Sequence, residues 1–180
     1  MIYVALLRGI NVGGNKKVDM KLLATAFEQA GMQSVSTYIN SGNVIFSNET
    51  HNKNELVTIL ENVMVENFGF AVPVLLRDIL TMKATVAAIP IHWKNDSEMK
   101  CDVMFLWDAI DSPQVIQRLA TKTDIDIVSY VAGAIIWSVD RKNVTKSGIT
   151  KLVGTRLYTQ MTIRNCNTTR KLLERMNSLS

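Results

Sequence analysis

Histidine, cysteine and proline are scarce in this chain. It holds two histidines, two cysteines and three prolines among 180 residues. His51 lies in a polar turn and His92 in an irregular stretch, so neither gives a Ser–His or Cys–His pair a promising context. Cys101 and Cys166 are far apart in sequence and build neither a CxxC motif nor a disulfide framework. That usage fits a reducing compartment, and a cytoplasmic location is expected. No cluster has the spacing of a zinc site, so no metal is expected, and no cofactor is implied. Long apolar runs are missing too. The stretch 131–139 is interrupted by Gly133 and Ser138 and is far below the ~20 residues that span a bilayer. The start, MIYVALLRG, has no basic region and no small-residue cleavage site, so neither a signal peptide nor a membrane partner is expected. Aromatic residues are 7% and scattered. Tyr130 could stand on an open sheet face, but no paired-aromatic RNA-binding signature accompanies it.

Charge is present and unevenly placed. Residues 1–90 carry seven basic and seven acidic side chains, and residues 91–140 carry four basic against eight acidic. Residues 141–175 carry nine basic (Arg141, Lys142, Lys146, Lys151, Arg156, Arg164, Arg170, Lys171, Arg175) against Glu174 alone. A stretch with a net charge of +8 attracts polyanions or phosphorylated ligands, or else is a solvated face that balances the acidic segment before it.

Periodicity outlines two halves. The run 2–7 is strand-like, and 9–18 is a loop rich in Gly and Asn. Asp19 caps a helix with Leu22, Leu23, Ala26, Phe27 and Ala30 on one face, stopped by Gly31. Strands 34–39 and 43–47 flank Ser41-Gly42 as a hairpin. Asn54 is expected to cap a second helix that ends at Gly69, and 72–77 is a strand. An added helix follows over 78–88. The order repeats after a polar linker: strand 101–107, a helix opened by Ser112-Pro113, hairpin strands 125–131 and 134–139, a helix across 149–157, strand 158–164 and a terminal helix. The expectation is an α+β fold of two tandem ferredoxin-like βαββαβ subdomains with antiparallel sheets, plus a C-terminal helix. The boundaries are 1–90, a linker 91–100, and 101–180. The duplication is visible as element order, not as a residue repeat.

Topology gathers candidate residues. The first two strands of a βαββαβ unit run parallel, and the third and fourth run against them. The loop 9–18 and the hairpin 40–43 therefore share one end of the first sheet. Loop 140–147 and the end of the last strand, 164–168, share an end of the second. Glycines in Arg8-Gly-Ile-Asn-Val-Gly-Gly-Asn-Lys16 let backbone N–H groups approach a phosphate. The loop is not a Walker A motif, because Asn15 separates Gly14 from Lys16 and no Ser or Thr follows, and it is not GxGxxG. Its other reading is a tight loop that packs the hairpin, with Asn40 and Asn43 bonding local backbone. Arg164 has the fork that matches a phosphate or carboxylate, or else it bridges a nearby carboxylate. Asn165, Asn167 or Thr168 caps the terminal helix. Asp124 and Asp126 alternate at a strand start and are expected to face solvent.

The motifs Leu6-Leu-Arg-Gly-Ile-Asn-Val-Gly-Gly14, Val18-Asp-Met20, Tyr38-Ile-Asn-Ser-Gly-Asn-Val44, Lys146-Ser147 and Thr162 through Leu172 make the whole chain resemble the bacterial domain-of-unknown-function family sixteen-ninety-seven. The resemblance implies tandem alpha–beta plait subdomains and no established activity, substrate, cofactor or catalytic residue. It places motif positions on Arg8, Asn11, Gly13, Gly14, Asn40, Ser41, Gly42, Asn43, Arg164, Asn165 and Thr168. Cys166 departs from it, since an aromatic is expected there, so no stacking role is carried over.

The function expected is binding of a phosphate-bearing ligand, a nucleotide or nucleic acid. Arg8, Asn11, Gly13, Gly14, Lys16, Asn40, Ser41, Asn43, Lys146, Ser147, Arg164, Asn165 and Thr168 are the candidate ligand residues. The alternatives are an enzyme acting on a small phosphorylated or carboxylated metabolite in a cleft between the halves, and a protein-interaction module using sheet edges. No catalytic residue and no oligomeric state can be named from the sequence.

Overall fold

Each hydrophobic pattern resolves into a strand or helix with its apolar side turned inward. A computed structural model describes residues 1–14 and 16–179, so Asn15 of the Gly-rich loop lies outside the described residues. The first part runs β1 (Ile2–Leu7), α1 (Met20–Gln29), β2 (Gln33–Thr37), β3 (Asn43–Ser47), α2 (Lys53–Phe68), β4 (Val74–Asp78) and α3 (Ile79–Ala87). The second runs β5 (Met99–Leu106), β6 (Ile127–Val131), β7 (Ala134–Asp140), α4 (Arg156–Thr159), β8 (Met161–Asn165) and α5 (Cys166–Asn177). Each half forms a four-stranded antiparallel-paired sheet, in the orders β2-β3-β1-β4 and β6-β7-β5-β8. This is the arrangement of two tandem ferredoxin-like units with a C-terminal helix. The chain divides into a unit of Met1–Ile79 with Leu172–Ser180 and a unit of Leu80–Lys171.

In the first unit, Ala5, Leu7, Val44, Phe46, Val74 and Leu76 meet Leu23 and Phe27 of α1 and Leu56, Leu60 and Met64 of α2. Burial of each such large side chain contributes roughly 1.5–3 kcal/mol. Asp19 caps α1 by accepting from the N–H groups of Lys21 (2.7 Å) and Leu22 (3.1 Å). The second helix is capped by Asn52 rather than Asn54. Asn52 accepts from the N–H of Glu55, and the Glu55 carboxylate accepts from the N–H of Asn52. This reciprocal box satisfies two donors that Asn54 alone would leave open.

In the second unit, Met104, Leu106, Ile135, Trp137 and Val139 pack against Val115, Leu119, Ile149, Leu152 and Leu157. The two crossover helices expected here are absent. Residues 113–118 and 148–151 form 3-10 turns, and only α4 is α-helical between β7 and β8. Ser112 makes no side-chain cap. Ser147 Oγ takes the N–H of Ile149, Thr155 Oγ1 takes that of Tyr158, and Gly154 stands at φ +86° between them. Side chains that capture backbone donors, with a left-handed glycine between them, restart turns instead of extending one helix.

The duplication reaches individual residues, which the sequence did not reveal. Val4 lies between Ile45 and Arg77 in the first sheet, and Val103 lies between Ile136 and Arg164 in the second. Leu7 N–H donates to Gly42 O (2.8 Å), and Leu106 N–H donates to Gly133 O (2.9 Å). Val4, Ile45 and Arg77, and Val103, Ile136 and Arg164, are all buried. Among the described residues no helix is long and apolar enough to cross a membrane.

Candidate functional site

The Gly-rich loop and the β2–β3 hairpin meet through Asn11. Asn11 adopts φ +54°, and its amide makes three bonds to backbone. Nδ2 donates to Val18 O (3.0 Å) and Asn40 O (2.9 Å), and Oδ1 accepts from Val18 N–H (2.8 Å). Asn43 is wholly buried, and its Nδ2 donates to Tyr38 O and Ser41 Oγ, both at 3.0 Å. Gly42 stands at φ +77°, and a Cβ there would lie 2.9 Å from Leu7 Cβ and Ile10 Cδ1. Lys16 Nζ donates to Ala71 O (2.9 Å) and lies over the Phe70 ring. Arg8 is half-buried, and its N–H donates to Pro73 O. Gly13 and Gly14 are exposed at the loop tip, both with positive φ. These side chains hold the loop on the hairpin. Beside them a hollow of about 510 Å³ is lined by Asn11, Gly14, Lys17, Asp19, Met20 and Asn40. The Asp19 carboxylate, held below its usual acidity range by the Leu22 and Lys21 N–H groups, brings negative charge to that hollow.

The second cluster centres on Asp126. It was expected to face solvent, and only Asp124 does so. Asp126 is 7% exposed. Its carboxylate accepts from Trp137 Nε1 (2.9 Å), Lys122 N–H (2.9 Å), Gly148 N–H (3.0 Å) and, in a short bond, Ser147 Oγ. Burial would raise its pKa, but the bonds from Ser147, the backbone and Trp137 prevail and hold it below the ordinary carboxylate value. Gly148 is required here, since a Cβ would come within 1.4 Å of Ala120 O. Ser147 is therefore an anchor that fixes the start of the chain from β7 to β8. The alternation of Asp126 with Asp124 hid this, because three of its four partners, Trp137, Ser147 and Gly148, lie in β7 and beyond.

Exposed cations flank that anchor. Lys146, Lys151 and Arg156 are exposed, and among the described residues none of the three forms an ion pair. Lys142 faces Asp140 at 3.8 Å. Arg141 donates to Asp96 O and Asn95 Oδ1. Arg164 is not among these surface charges. It is 7% exposed, donates to Thr162 Oγ1 (3.0 Å) and Ile163 O (2.8 Å), and burial lowers its pKa to about 10. Asn165 Oδ1 accepts from Thr168 N–H (2.8 Å) at the start of α5, and Thr168 is buried. Among the described residues no group of three or more His, Cys, Asp or Glu side chains could hold a metal.

A family profile described as "Protein of unknown function (DUF1697)" matches residues 1–137. The chain belongs to the DUF1697 family. The match takes in the loop and hairpin stapled by Asn11 and ends at Trp137 in the second sheet. A solved structure, that of a conserved bacterial protein from Streptococcus pneumoniae, is similar to this DUF1697 chain at 28% identity. The similarity covers 97% of this chain and 98% of that one, with a TM-score of 0.83. No curated protein matches the chain.

Proposed function

We propose that this DUF1697 protein binds a phosphate-bearing ligand, and that a nucleic-acid backbone lies against the basic chain between β7 and β8. One observation carries the reading: Lys146, Lys151 and Arg156 are exposed cations with no carboxylate partner among the described residues. They lie in the stretch where nine basic residues face one acidic residue. The Asp126–Ser147 anchor fixes the backbone beside them, so less ordering is needed on binding. Unneutralised surface cations raise the local concentration of a polyanion and release its counterions as it docks. Both cysteines are buried free thiols, which fits a reducing, cytoplasmic location.

The test is fluorescence anisotropy with single-stranded RNA and duplex DNA across a salt series. The triple variant Lys146→Glu, Lys151→Glu, Arg156→Glu should weaken binding at least tenfold at low salt. It should also flatten the salt slope by about 0.7–0.9 for each phosphate that is no longer neutralised. Saturable binding that is unchanged in the triple variant would remove this surface from the reading.

A second reading is a small phosphorylated or carboxylated metabolite in the hollow beside the Gly-rich loop, favoured by its volume and by Lys17 at its edge. Competition by ATP or inorganic phosphate that disappears in Lys17→Ala, with the triple variant unaffected, would select it. Asp19 weighs against it, since a carboxylate at the rim repels the same ligand.

A further inference from the structure

Strands β5 and β8 pair Asp102 with Asn165. One step further along both chains stand Cys101 and Cys166, the only cysteines of the sequence. The separation of 65 positions that argued against a disulfide framework is closed by strand register. Both thiols are free and wholly buried. They are neighbours in the interior, each the first influence on the other's acidity. Carried one step past its last pair, that register faces the two residues, and facing side chains place their Cβ atoms about 4.5–5.5 Å apart, close to the ~3.5–4.5 Å that a disulfide needs. We propose that Cys101 and Cys166 form a redox-responsive dithiol that closes to a reversible intramolecular disulfide when a low-molecular-weight disulfide, such as oxidised glutathione, is supplied.

The two sulfurs are not equivalent. Cys166 is held below the ordinary thiol value by the bond from Cys101 and by the Arg170 guanidinium, against its burial. That bond and burial push Cys101 up. Cys166 also lies at Trp93 O under the strap held by the exposed Asn95–Asn167 bonds, so an external disulfide reaches it first, and Cys101 resolves. The Cys166 thiol gives up its proton, and the thiolate bonds to one sulfur of the glutathione disulfide. The external S–S bond breaks and one glutathione thiolate leaves, taking a proton. Cys101 then loses its proton, its thiolate bonds to Cys166 Sγ, and the second glutathione leaves and is protonated. Two protein thiols are oxidised, and one external disulfide is reduced to two thiols.

A cover over Cys166 sets the rate. Arg170 donates to Trp93 O (2.6 Å) and Pro90 O (2.8 Å). Asn167 Nδ2 donates to Asn95 O (2.9 Å), and Asn95 N–H donates to Asn167 Oδ1 (3.2 Å). Cys166 Sγ lies 3.8 Å from Trp93 O under this irregular strap. The Asn95–Asn167 pair is exposed to water, so the strap can open locally without unfolding the sheet.

The experiment incubates the reduced, folded full chain with oxidised glutathione, then counts thiols after denaturation and weighs the protein. The expected result is a fall in titre from two thiols to none with the loss of two hydrogens, in a monomer, reversed by dithiothreitol. Cys101→Ser should stop at one glutathione on Cys166, and Cys166→Ser should acquire none. Asn167→Ala, which loosens the strap, should oxidise several-fold faster. Two thiols persisting in the folded wild type, while the unfolded chain oxidises under the same conditions, would overturn the proposal. Disulfides that form only between molecules, or a glutathione adduct on Cys101 in Cys166→Ser, would also overturn it.

Discussion

Arg77 and Arg164 occupy the same register position in the two sheets. Each stands opposite a valine of the central strand, Val4 for Arg77 and Val103 for Arg164. Each is buried, at 4% and 7% exposure, and each donates to the carbonyl of the residue before it. A guanidinium is expensive to bury, and these carbonyl bonds offset part of that cost at both positions. Arg164→Ala should lower stability by roughly 2–3 kcal/mol, read as a drop in the urea midpoint. Arg164→Met, which keeps volume without charge, should cost less. Neither should change the salt slope of polyanion binding by the folded protein, because Arg164 is not on the surface.

The Asp126 carboxylate gives the second unit an acid sensitivity. Its folded pKa lies below the unfolded value of about 3.9. The unfolded chain therefore binds more protons in that range, and stability rises with pH there. The contribution is complete above the unfolded value and is lost as pH falls through the folded one. Asp126→Asn should lower the neutral-pH urea midpoint by about 1–3 kcal/mol equivalent. It should also flatten the decline of stability below pH ~4, followed by the fluorescence of Trp137, whose Nε1 bonds Asp126.

Two glycines differ in what they tolerate. Gly148→Ala would press a methyl group within 1.4 Å of Ala120 O, and its melting transition should fall well below that of the wild type. Gly154→Ala meets nothing within 4 Å and carries only the strain of φ +86°, a cost of about 1 kcal/mol. Thermal unfolding of the two variants side by side separates close approach from backbone strain.

Asn11 should behave as a staple for the Gly-rich loop. Asn11→Ala removes three hydrogen bonds to backbone and leaves a β-carbon at φ +54°, so it should destabilise by about 2 kcal/mol. Asn11→Gly restores the backbone freedom but not the bonds and should recover part of the loss. Amide hydrogen exchange at Val18, whose N–H bonds Asn11 Oδ1, should speed up in both.

Local signals were readable where a local cause makes the structure. Asp19 caps α1, Gly69 ends α2 in the left-handed region, and Gly42 turns the first hairpin, each through bonds or dihedrals within a few residues. The cap of α2 falls on Asn52, two positions before the expected Asn54, because both carry the same side chain and only the box with Glu55 separates them. The helix pattern 149–157 misled, because apolar spacing does not register that Ser147 and Thr155 capture backbone donors. The candidate loop residues were legible, but their bonds turn inward: Asn11 to Asn40, and Lys16 to Ala71.

The sequence by itself determined the family through its motifs, and the order of elements, the paired loop ends and the basic stretch through composition and short-range periodicity. Only the tertiary structure decided that Arg164 is buried, that Asp126 anchors Ser147, and that strand register brings Cys101 beside Cys166. The physical reason is common to all three. Strand register and crossover packing join residues many positions apart, and burial depends on what the whole sheet face meets, which no local pattern encodes.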